Sequence, residues 1–121
     1  MQINKKKALI GIVGPCSAGK STLAAGLKKR GINAKQIAQE HSYVKDMWQK
    51  MTNPDRLIFL QVSYPTAQKR RKLNWSPKEY KTQQYRLRDA RQHADFYLDT
   101  DGLTPEEIVD KVLKYIANIK S

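Results

Sequence analysis

The run Gly14-Pro15-Cys16-Ser17-Ala18-Gly19-Lys20-Ser21, with Thr22 after it, carries the sharpest chemical signal in the chain. It fits the spacing G-x-x-x-x-G-K-[ST]. Glycines at its two ends let the backbone turn tightly, so that successive N–H groups converge on phosphate oxygens. Lys20 supplies a point charge for the β- and γ-phosphates of a nucleotide, and the Ser21 hydroxyl offers a ligand to Mg²⁺. A helix starting at Lys20 adds the positive end of its dipole. Gly14 to Thr22 are therefore the candidate residues for binding ATP, or another nucleoside triphosphate, with Mg²⁺. The bland alternative is a glycine-rich turn between a strand and a helix. An apolar strand before the run and an amphipathic helix after it favour the phosphate-binding reading. Cys16 falls in the variable part of the loop and reads as a spacer.

A second set of residues has the right chemistry but weaker spacing. A magnesium-side acid should end an apolar strand beside the loop strand. The strongest strand ends in Gln61-Val62-Ser63 and offers none. Glu40 follows a weak strand that would bring it close to Ser21, which makes it the candidate catalytic and metal-side acid. Its competing role is a carboxylate capping the next helix. His41 reads as a base, an acceptor ligand or a polar helix-entry residue. Asp99 also follows an apolar run. From Lys69 to Arg91, nine Lys/Arg face only Glu79 and Asp89, a local net of +7. Such a segment serves as a phosphate-facing lid or as a solvated basic face. Its arginines rank Arg71, Arg70, Arg91, Arg88 for phosphate contact, with Arg71 and Arg91 as catalytic candidates. Gln84, Arg88 and Arg91 share one predicted helix face. Tyr43 and Trp75 are candidate stacking surfaces, and Trp48 is a core candidate.

These residues need a scaffold, and the chain alternates strand-like and helix-like patterns, as a parallel sheet covered by helices does. Strands are predicted at Ala8–Val13, Ile32–Gln39, Leu57–Val62 and Phe96–Asp99. Helices are predicted at Lys20–Arg30, from Ser42 to the Asn53-Pro54-Asp55 break, from Tyr64-Pro65 through Lys72, from Ser76 to about Ala94, and from Thr104 onward. Ser76-Pro77-Lys78-Glu79 and Thr104-Pro105-Glu106-Glu107 are capping boxes. Ile108, Val112, Ile116 and Ile119 would line one face of the last helix. At 121 residues, residues 1–121 suit one domain. The 40% hydrophobic and 28% charged residues are ordinary for a globular chain. Twenty-three Lys+Arg against eleven Asp+Glu leave +12, which favours anionic partners. One cysteine precludes an intrachain disulfide and a multi-cysteine zinc cluster, as expected of a cytoplasmic protein. No apolar run approaches the roughly 20 residues of a membrane helix, so no membrane role is expected.

The loop resembles that of the nucleoside and nucleotide kinase group of P-loop NTPases. Leu57–Ser63 with Pro65, Ala67, Arg70 and Arg71 resembles the element before the lid in cytidylate, adenylate and shikimate kinases. Arg91–Thr100 and Thr104–Glu107 resemble their entry to the last strand and their final helix. The resemblance implies a three-layer α/β/α fold, and the short stretch from Gly31 to Asp55 implies one strand fewer, giving about four in the order 2-1-3-4. It also implies a lid at 69–91 and transfer of the γ-phosphoryl group to a small anionic acceptor. Two other readings stand beside it. One is a non-catalytic nucleotide-binding module or sensor; the other, resting on charge, is a nucleic-acid binder or a kinase of nucleic-acid ends.

Overall fold

The computed structural model describes residues 8–71 and 76–120. The chain runs β1 (Ile10–Val13), α1 (Lys20–Lys29), β2 (Ala34–Gln36), β3 (Arg56–Gln61), α2 (Tyr64–Arg71), α3 (Pro77–Arg86), α4 (Arg88–His93), β4 (Phe96–Asp99) and α5 (Pro105–Lys120). Between β2 and β3 lie a 3₁₀ turn, Gln39–His41, and a π-helical turn, Trp48–Thr52. The strands form one all-parallel sheet in the order β2-β1-β3-β4. In the register, Ile10 stands opposite Ala34 on one side and Arg56 on the other, and Ile58 stands opposite Phe96.

Both faces of the sheet are covered, because β3 is apolar at every position from Leu57 to Leu60 and alternate side chains go to opposite faces. Ile58 and Leu60 join Ile10 and Ile12 against Leu23 and Leu27 of α1 and Ile108, Val112 and Ile116 of α5. Leu57 and Phe59 join Val13, Trp48, Leu87 and Ala90 on the other face. α1 and α5 pack closely at Gly26, where a Cβ would lie 2.8 Å from a Val109 methyl. The buried face of α5 is Ile108, Val109, Val112 and Ile116, and Ile119 lies beyond it, exposed. Among the described residues no helix is long and apolar enough to cross a membrane.

Three sequence expectations need correction. The stretch after Ser42 is not a regular helix. Buried Gln39 replaces helical bonding there: its Oε1 accepts from the Trp48 N–H and its Nε2 donates to the Val44 and Arg86 carbonyls. Trp48 is still core, but Val44 and Met51 are exposed. The weak strand is only three residues, ending at Gln36, so Glu40 sits in the 3₁₀ turn beyond it. The helix from Ser76 breaks at Leu87 into α3 and α4. Leu87, fully buried between Val13, Phe59 and Trp48 on that face, is the pivot.

Candidate functional site

The loop from Gly14 to Gly19 leaves the C-terminal end of β1 and enters α1, the edge where open parallel sheets hold ligands. Gly14 has φ 155°, and a Cβ there would lie 2.2 Å from the Leu60 carbonyl oxygen. Gly19 caps α1 at φ 104°, and Ser17 also has positive φ. The carbonyls of the loop are turned to donors of the protein itself. Lys20 Nζ donates to the Gly14 and Pro15 carbonyls at 2.8 and 3.0 Å. Arg70 donates to the Ser17 carbonyl at 2.9 Å, and the Thr100 hydroxyl donates to that of Ala18 at 3.1 Å. First-turn amides of α1 have no intrahelical acceptor. Within the loop, the Cys16 N–H is taken by Gln83 Oε1 and the Ala18 N–H by the Pro15 carbonyl, so the first turn of α1 supplies the N–H groups for a ligand.

Lys20 and Glu40 are both buried and paired, Nζ to Oε2, at 3.0 Å. Glu40 Oε1 and the Ser17 hydroxyl are buried with no hydrogen-bond partner. They lie along a cavity of about 590 Å³, within the size range of small-molecule sites. Cys16, Ser17, Gly19, Lys20, Ser21 and Thr22 line it, with Glu40, His41 and Arg70 and, from the α5 end, Leu103, Pro105 and Ile108. Gly14, Pro15 and Ala18 shape the loop from behind, Ala18 fully buried. The structure therefore brings Glu40 to Lys20 and into the same cavity as Ser21.

Other candidates fall elsewhere. Arg91 does not line the cavity; its guanidinium lies over the Phe59 ring and donates to Gln84 Oε1. Arg88 is turned away from Gln84 by the break at Leu87 and stacks on Tyr85, 3.9 Å from the ring centroid. The three-residue face of Gln84, Arg88 and Arg91 is thus reduced to Gln84 and Arg91. Arg71 ends α2, and its side chain, like Trp75, lies outside the described residues. Tyr43 is 90% exposed, with Arg86 over its ring. Asp99 Oδ1 accepts from the Asp101 N–H and is not part of the cavity wall. Of the basic segment, α3 is docked rather than standing clear. Tyr80 donates its hydroxyl to the Val62 carbonyl, Gln83 holds Cys16, and Gln84 and Gln61 exchange amide hydrogen bonds.

Three residues of the site escaped sequence reasoning. Buried Gln83 accepts from the Cys16 N–H at 2.9 Å and donates to its sulfur at 3.1 Å. Its signal was a polar residue one turn before Leu87 on the apolar side of the helix. Thr100, fully buried, links Arg70, Ala18 and the Gln61 carbonyl. Asp101 accepts from the Ser63 N–H at 2.9 Å. Burial pushes the Asp101 carboxyl up, but hydrogen bonds from Ser63 and Thr66 and the charge of Arg70 outweigh it and hold it below the ordinary range. No family model matches the chain, and a search of the curated proteins finds no match.

Proposed function

We propose that the chain is a P-loop NTPase that binds Mg·ATP and transfers its γ-phosphoryl group to a small anionic acceptor. One observation carries the reading: Lys20 Nζ sits at the loop, held by two loop carbonyls and the Glu40 carboxylate, in one cavity with Ser21. A triphosphate brings more negative charge than one carboxylate and two carbonyls, so Lys20 can exchange these partners for its β- and γ-oxygens. The buried, unpartnered Oε1 of Glu40 and the Ser21 hydroxyl are hard oxygen donors of the kind Mg²⁺ takes. When bound, Mg²⁺ neutralises charge on the transferring group. The N-terminus of α1 holds phosphate, Lys20 follows the developing charge, and the wall from Leu103 to Ile108 excludes water from one side. The acceptor enters past His41, whose side chain is 57% exposed.

The test is a thermal-shift series with Mg·ATP and Mg·GTP. A ligand at 100 times its Kd adds about 2.7 kcal/mol of stability, and Lys20→Ala is expected to abolish the shift. Equal shifts in wild type and Lys20→Ala would overturn phosphate binding by this loop. A second reading, nucleotide binding without transfer, is favoured by one feature: β3, next to the loop strand, ends in Gln61, whose amide is committed to Gln84. Mg·ATP binding with no ADP formed across a panel of acceptors would select it.

A further inference from the structure

Three donors of different chemistry meet at the mouth of the loop. Cys16 Sγ lies 3.7 Å from His41 Nε2, and the same nitrogen lies 3.7 Å from Glu40 Oε2. One ligand atom from each of the three residues falls within 4.8 Å of the others. A tetrahedral zinc ion, bonded to sulfur at about 2.3 Å and to nitrogen and oxygen at about 2.0–2.2 Å, holds its ligand atoms about 3.4–3.6 Å apart. Two of the three edges are already close to that spacing.

The surroundings fit a ligand set rather than a chance meeting of polar groups. Glu40 is buried; its Oε2, 3.7 Å from His41, is shared with Lys20, and its Oε1 has no partner, so the carboxylate has unused acceptor capacity for a cation. Buried Gln83 fixes Cys16 through both its N–H and its sulfur. A hydrogen bond donated to a ligand sulfur is the outer-sphere support that orients metal thiolates. The third edge, Cys16 to Glu40, lies within 4.8 Å, and His41, more than half exposed, can move with its two partners as that edge closes.

We propose that Cys16, His41 and Glu40 form a three-ligand site for a thiophilic divalent cation of the zinc class, with its fourth position open to the cavity. Sulfur, imidazole and carboxylate suit zinc, whereas magnesium takes oxygen ligands. On binding, the Cys16 thiol gives up its proton to solvent, a metal–sulfur bond forms and no electron moves. The site itself stands without the proposed activity. Its consequence rests on that reading: Glu40 serves both cations, so zinc withdraws it from magnesium and inhibits phosphoryl transfer.

Cobalt(II) is the probe. Under a phosphine reductant, the full chain is expected to give a near-ultraviolet sulfur-to-cobalt charge-transfer band and strong visible bands of tetrahedral type, both bleached by one equivalent of Zn²⁺. Cys16→Ser should remove the ultraviolet band. His41→Ala should weaken cobalt and zinc binding at least about 10-fold, the loss that even outer-sphere changes cause. Circular dichroism melts check that both variants fold. A weak octahedral spectrum in the wild type, or a band that persists in Cys16→Ser, overturns the proposal. Nucleotide binding is read separately from the thermal shift. Loss of that shift in Lys20→Ala without any cobalt band overturns the metal site alone. A Cys16-dependent band with no nucleotide shift upholds the metal site and overturns the nucleotide reading.

Discussion

Glu40 and Lys20 are withdrawn from water together, and each is the main charge partner of the other. Removing either charge leaves the other uncompensated; a glutamine in place of Glu40 keeps the shape and a carbonyl acceptor for Lys20 but not the charge. A carboxylate that positions metal or water acts chiefly in the transition state. Glu40→Gln is therefore expected to lower kcat by about 100-fold or more with little change in nucleotide Kd, measured by steady-state kinetics and calorimetry. Unaltered kcat in Glu40→Gln, with activity lost in Asp99→Asn, would move the acid to β4. The loop residues were legible because their chemistry is written in eight consecutive positions. Glu40 was legible through the strand pattern before it, although that strand stops four residues short of it. Gln83 and Thr100 were not, because their partners lie 67 and 82 positions away. The arginines were ranked by charge alone. Their partners depend on tertiary geometry, which turns Arg70 toward the loop and Arg91 onto Phe59.

The loop's shape depends on the strand beside it. At Gly14 the backbone passes against the Leu60 carbonyl at a φ that side chains rarely adopt. Gly14→Ala is expected to lose about 3 kcal/mol, read as a lower urea midpoint with an unchanged m-value. Element ends were legible where a side chain makes them. The Ser76 hydroxyl accepts from the Glu79 N–H and that of Thr104 from the Glu107 N–H, as their capping boxes predicted. Element interruptions were not. Leu87 reads as one more apolar residue on a helix stripe, yet its burial between Phe59 and Trp48 bends the chain there. The turn at Gln39 was hidden for a related reason: one buried amide substitutes for a turn of backbone bonding, and no local spacing reports that.

Across the whole molecule, the two-sided parallel sheet was legible because β3 is continuously apolar and the helical patterns alternate with the strands, while the order 2-1-3-4 was what the resemblance implied. The polar ties between distant segments were not. One of them sets the response to acid. Asp101 holds the Ser63 amide at the entry to α2, and its carboxyl is depressed in the folded state. A depressed carboxyl stabilises the fold above its unfolded pKa, about 3.9, and that contribution disappears as pH falls through the folded value. Asp101→Asn should melt below the wild type at neutral pH and converge with it as pH falls from about 3.9 through the depressed folded value, as a pH series of thermal melts would show. The ties from β4 and α5 to the loop have a further consequence during synthesis. Thr100 bonds the Ala18 carbonyl, 82 positions earlier, and Leu103, Pro105 and Ile108 wall the cavity, so the loop waits for these later residues. At about 5–20 residues per second, the Gly14–Gly19 loop stands without its far wall for several seconds. Until then Lys20, which the folded chain buries, stays open to solvent on the side that Leu103, Pro105 and Ile108 later close.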